Sequence, residues 1–72
     1  MNIEVSNKTL DALGRSEWTL VATTIRKSRA FKIAMRESKK NLETEVLCKD
    51  DEGEVIGHYY FQNGKMTIDM SV

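Results

Sequence analysis

Apolar and polar residues alternate with a period of two through most of the second half of the chain. Phe31, Ile33 and Met35 are followed by Leu42, Val46 and Cys48, then by Val55, Tyr59 and Phe61, and last by Met66, Ile68, Met70 and Val72. Such alternation marks strands with one buried face. The turn signals agree with it. Asn63-Gly64 is a type I′ hairpin signal, and a two-residue loop there pairs Phe61 with Met66, Tyr59 with Ile68 and Gly57 with Met70. A four-residue turn at Asp50-Asp51-Glu52-Gly53 pairs Cys48 with Val55, Val46 with Gly57 and Thr44 with Tyr59. A similar turn at Ser38-Lys39-Lys40-Asn41 pairs Met35 with Thr44. The pattern predicts a four-stranded antiparallel meander over residues 30–72. Its register is well specified, because a slip of one residue would carry the whole apolar set to the other face.

The first half reads differently. Ile3 and Val5 alternate with polar neighbours and predict a short extra N-terminal strand, after which Ser6 or Asn7 would cap a helix starting at Lys8. Leu10 and Leu13 lie three apart, and Trp18, Val21, Ala22 and Ile25 recur at the spacing of one helical stripe. Gly14 predicts a break between the two, with Ser16 capping the second piece. The expected fold is α+β: an N-terminal helical segment between residues 7 and 28 packed on the sheet, whose apolar face needs a cover. The competing reading takes residues 18–26 as a strand, since Thr19, Val21, Thr23, Thr24 and Ile25 are β-branched. The fold would then be mostly β, a five-stranded curled meander with one short helix. A strand, a helical segment and four meander strands resemble the cystatin-like order of elements. The inhibitory loop and tryptophan hairpin of that family have no counterpart here, so the resemblance implies topology and no function.

Composition sets the scale. Seventy-two residues make a single small domain, of a size that leans on a partner or on oligomerisation for part of its stability. The lone Cys48 forms no disulfide within the chain and reads as a small core residue. No apolar run approaches a membrane span, and Met1-Asn2-Ile3-Glu4 has no secretory character. A cytoplasmic location is expected.

Net charge is zero, but the charges are segregated. Residues 26–40 carry Arg26, Lys27, Arg29, Lys32, Arg36, Lys39 and Lys40 against Glu37, and residues 43–54 carry Glu43, Glu45, Asp50, Asp51, Glu52 and Glu54 against Lys49. A basic end and an acidic end are expected, which would govern association rate and partner choice.

The second sheet face supplies the candidate sites. Leu47, Ile56 and Tyr60 form an apolar group there, with Lys32 and Arg36 beside them, and together they are the candidate partner-binding surface. The same register puts His58 between Glu45 and Asp69, a row whose carboxylates would favour the imidazolium and give a pH-sensitive element. Ligands spread over three strands stand too far apart for one ion, so no metal and no cofactor are expected. The acidic Asp50–Glu54 stretch lacks the spacing of a calcium loop, and no nucleophile stands with a base. The chain is expected to be no enzyme but a protein-binding module, a regulator or inhibitor docking on a larger protein partner, with a homodimer as a further expectation. The alternative is nucleic-acid binding through Arg26, Lys27, Arg29, Lys32, Lys39 and Lys40.

Overall fold

The computed structural model describes residues 1–71 and consists of one five-stranded antiparallel sheet with one helix packed on it. The elements are β1 (Asn2–Leu10), β2 (Ser16–Thr24), α1 (Lys27–Glu37), β3 (Glu43–Lys49), β4 (Val55–Gln62) and β5 (Lys65–Ser71). The strand order is β2-β1-β3-β4-β5, so β1 and β3 lie side by side and α1 is the crossover between the two hairpin units.

Helix-on-sheet architecture is as expected, but helix and strand exchange places. Residues 16–24 form β2 because a run of β-branched residues loses little on a pleated surface and much on a helix. Gly14 and Ser16 accordingly belong to a hairpin turn and a strand start. Residues 27–37, expected as the first meander strand, are helical. Phe31, Ile33 and Met35 mimic period two, but Ala30 and Ala34, one turn apart and fully buried, set the real stripe. Apart from Ser28, the rest of this segment is Lys, Arg and Glu, all good helix formers. The meander therefore has three strands, β3 to β5, and the order strand, strand, helix, strands is not the cystatin-like one.

Both three-residue hairpins share one design. Asp11 N–H bonds to the Arg15 carbonyl at 2.8 Å and Gly14 N–H to the Asp11 carbonyl at 3.0 Å, and Asp50, Gly53 and Glu54 repeat this at 2.9 and 3.0 Å. Each Asp carboxylate accepts two further backbone N–H groups, Leu13 and Arg15 in one turn and Glu52 and Glu54 in the other. Gly14 and Gly53 take φ of +79° and +84°, the left-handed conformation that ends a type I turn with a G1 bulge. Asp50 thus closes a loop of three residues rather than four. The β3–β4 pairing is displaced by two residues from that expected, with Thr44 opposite Phe61 and Val46 opposite Tyr59. A two-residue displacement keeps every side chain on its face.

The core lies between α1 and the sheet: Ile3, Val5, Ala30, Ala34, Val46, Cys48, Tyr59 and Phe61, with Ala22, Phe31 and Ile33 packed against it. Phe31 meets Tyr59 edge-on at 5.0 Å and Phe61 at 5.5 Å between ring centroids. Leu42 and Val55, expected in this set, are exposed, and Val72 lies outside the described residues. Burial pushes the Cys48 thiol pKa up, which suits a core residue. One polar network crosses the core. The Thr44 hydroxyl donates to Asn7 Oδ1 at 2.7 Å, and Asn7 Nδ2 donates to Glu37 at 3.0 Å, joining β3, β1 and α1. Ser38, also buried, ends the helix and accepts the Gly64 N–H at 2.9 Å, which fixes the β4–β5 hairpin to α1.

No helix among the described residues is long and apolar enough to cross a membrane.

Candidate interaction surface

Three strands carry one extra residue each. Val21 is the extra residue of β2, because Val5 pairs with Ala22 and Ser6 with Leu20. Ile56 is that of β4, because Cys48 pairs with Gly57 and Lys49 with Val55. Thr67 is that of β5, because Phe61 pairs with Met66 and Tyr60 with Ile68. A bulge reverses the in-and-out alternation beyond it and re-aims the side chains that follow.

The consequence is largest on the two edge strands. Regular alternation would place Trp18 and Leu20 on the helix side with Ala22, and Ile68 and Met70 there with Met66. The bulges turn all four to the opposite face, where Trp18 stands opposite Lys8, Leu20 opposite Ser6, Ile68 opposite Tyr60 and Met70 opposite His58. That face has no helix over it. Trp18, Leu20, Ile68 and Met70 are 42, 55, 44 and 49% exposed, and half-buried Leu47 and Tyr60 connect the two edges across β3 and β4. Trp18 reaches Tyr60 with ring centroids 6.1 Å apart, and Tyr60 lies 4.5 Å from the His58 ring.

The polar groups of this face are matched among themselves. Lys49 pairs with Glu4 at 3.0 Å, and His58 Nε2 meets Glu45 at 2.9 Å. Gln62 Nε2 donates to Glu43 at 3.3 Å, and Glu43 stands opposite Lys8 in the register. The Tyr60 phenol has its pKa raised, first by burial and then by the charge of Glu45, to which it hydrogen-bonds. Glu45 therefore holds both His58 and Tyr60 in place.

Of the residues expected to bind a partner, Leu47 and Tyr60 do lie together on the open face, and Ile56 sits at its bulge, exposed. Lys32 and Arg36 do not join them. Both belong to α1, in the layer on the other side of the sheet, and Arg36 stands 3.6 Å from Glu37. The expected row of Glu45, His58 and Asp69 is not formed either. The Thr67 bulge puts Asp69 opposite Tyr59, on the helix side, where it acts on Lys27. Among the described residues no group of His, Cys, Asp and Glu is placed to hold a metal ion.

The basic residues fall into separate places. Arg26, Arg29 and Lys32 line a hollow of about 360 Å³ together with Thr24, Ile25 and Ser28. Among the described residues these three cations make no ion pair. Lys27 lies over the Tyr59 ring at 4.8 Å and the Phe31 ring at 5.6 Å, and its hydrogen bond to Tyr59 raises its pKa. Lys39 and Lys40 lie past the far end of α1, beside Lys8 and Leu10. The acidic Asp50–Glu54 turn follows Lys49, at the same end of the sheet as the start of α1. The two charged blocks thus do not occupy opposite ends.

Sequence reasoning missed Trp18, Leu20, Ile68 and Met70 as surface residues. The one available signal was Asp11-Ala12-Leu13-Gly14, the same Asp-x-x-Gly pattern as Asp50–Gly53. Read as a second hairpin, it makes residues 16–24 a strand, though not a bulged one. No family model, curated protein or solved structure matches this chain.

Proposed function

We propose that this chain is a non-enzymatic protein-binding module that docks through the open face of its sheet. One observation carries the reading: bulges in both edge strands turn Trp18, Leu20, Ile68 and Met70 away from the helix and onto an uncovered face. Turning four large apolar side chains toward water costs burial that alternation would otherwise secure, about 1.5–3 kcal/mol for each fully buried one. A protein partner restores it. Aromatic and methionine side chains at the patch, with charges at its margin already paired, match the composition of protein interfaces.

The test is capture from the native host lysate on immobilised wild-type chain and on Leu20→Lys, compared by mass spectrometry. A partner retained by the wild type and lost on Leu20→Lys is the expected result. Equal capture by both overturns the reading.

The second reading is nucleic-acid binding through the hollow lined by Arg26, Arg29 and Lys32. Three unpaired cations at the start of a helix favour phosphate. That reading ranks lower, because the acidic turn lies at the same end of the sheet and the described aromatic residues lie elsewhere.

A further inference from the structure

We infer that the occupant of the open sheet face is a second copy of this chain, stacked face to face to make a symmetric dimer with the two helices outermost. The inference rests on the docking reading above and names its partner.

Area comes first. Five strands about 4.8 Å apart, with seven to nine residues rising about 3.3 Å each, make a face of roughly 600 Å² in projection, and more once side-chain relief is counted. A standard interface takes about 800 Å² from each partner. Two such sheet faces bury roughly 1,200 Å² together, at the lower end of stable interfaces, so a dimer has to use the whole face. A second sheet of the same size and twist covers it completely.

Charge points the same way. On this face Glu4, Glu43 and Glu45 stand against Lys8, Lys49 and Lys65, and Glu4 pairs with Lys49. The unmatched cations lie elsewhere, at the start of α1. A strongly basic or acidic partner finds no complement here. A copy of the same balanced face meets no net repulsion, and the helices, which carry the unmatched cations, are kept farthest apart.

The pattern across the face is also self-complementary. Apolar pairs stand at the two edges, Trp18 with Leu20 on β2 and Ile68 with Met70 on β5, and the polar group of Ser6, Glu45 and His58 stands between them. A two-fold axis across the strands, between the Ser6–Glu45–Tyr60–Ile68 and Glu4–Leu47–His58–Met70 rows, lays each strand over its own copy, so that Ile68 meets Met70, Glu45 meets Leu47 and Glu43 meets Lys49. The central carboxylate of Glu45 is already held by His58 and Tyr60, which lowers the cost of covering it. Sheets packed in this way form a sandwich about 10 Å thick.

Sedimentation velocity of the full chain, across a wide range of micromolar concentrations, tests the inference. The wild type is expected to sediment as a dimer that dissociates on dilution. Leu20→Lys removes one apolar contact per copy and two per dimer, so it should weaken association on the order of a hundredfold. Leu13→Lys, in the exposed Asp11–Arg15 turn, should leave it unchanged. Circular dichroism of each variant confirms that it is folded. A wild type that stays monomeric at every concentration, or a dimer indifferent to Leu20→Lys, overturns the inference. The docking reading survives either result if lysate capture still depends on Leu20, and falls only if it does not.

Discussion

Thr44 and Asn7 illustrate how single residues hold this fold in ways that an apolar pattern does not reveal. Both are buried, and the cost of burying them is met by one chain of donors and acceptors from Thr44 through Asn7 to Glu37. Thr44→Val keeps the shape and removes the hydroxyl that donates to Asn7 Oδ1. Asn7 Oδ1 then loses its partner in a buried setting, which costs about 1–3 kcal/mol. Thr44→Ser, which retains the hydroxyl, should recover much of the loss. Urea denaturation of the three proteins checks this, and a Thr44→Val as stable as the wild type would contradict it. Sequence alone suggested that residues 44 and 46 share a face. It gave no hint that Asn7 shares it too, because Ser6 or Asn7 reads as the cap of a helix starting at Lys8, whereas β1 runs on to Leu10.

At the scale of elements, the legible parts were those specified locally. Asn63-Gly64 marked its hairpin, with Asn63 at φ 52° and Gly64 at 81°, and the faces of β3 and β4 followed from alternation. Helix and strand were exchanged in residues 16–37 because short segments satisfy both periods: Trp18, Val21, Ala22 and Ile25 suit a helix, and Phe31, Ile33 and Met35 suit a strand. The β-branched run decided the first, and the Ala30–Ala34 stripe the second. Bulges were illegible for a different reason. An extra residue in a strand changes no propensity, and its effect is felt only against the neighbouring strand. The turns, by contrast, carry their own test. The Asp11 carboxyl has its pKa lowered, chiefly by the Arg15 N–H that it accepts. A lowered folded pKa contributes stability fully above the ordinary carboxylate value of 3.8, and that contribution is lost as pH falls through the folded value. Asp11→Asn lacks this charge at every pH. The wild type should therefore melt above Asp11→Asn at neutral pH, and the gap should close on acidification. A gap that stays constant into the acid range would contradict the turn's role.

For the whole molecule, the central claim is that the sheet has one face for its own helix and one for a second copy of the chain. The first is filled by α1 and, among the described residues, a core of eight buried apolar ones, a modest core for a chain of this size. The second carries the apolar side chains that the bulges of β2 and β5 turn outward. Trp18, the only tryptophan in the chain, stands on that second face and is its natural reporter. The most direct measurement is its fluorescence emission and acrylamide quenching as the protein is concentrated. If a second copy covers the face, emission should move to shorter wavelength and quenching should fall with rising concentration, and Leu20→Lys should keep the solvent-exposed values throughout. Emission and quenching that do not change with concentration, the same for wild type and Leu20→Lys, would contradict it.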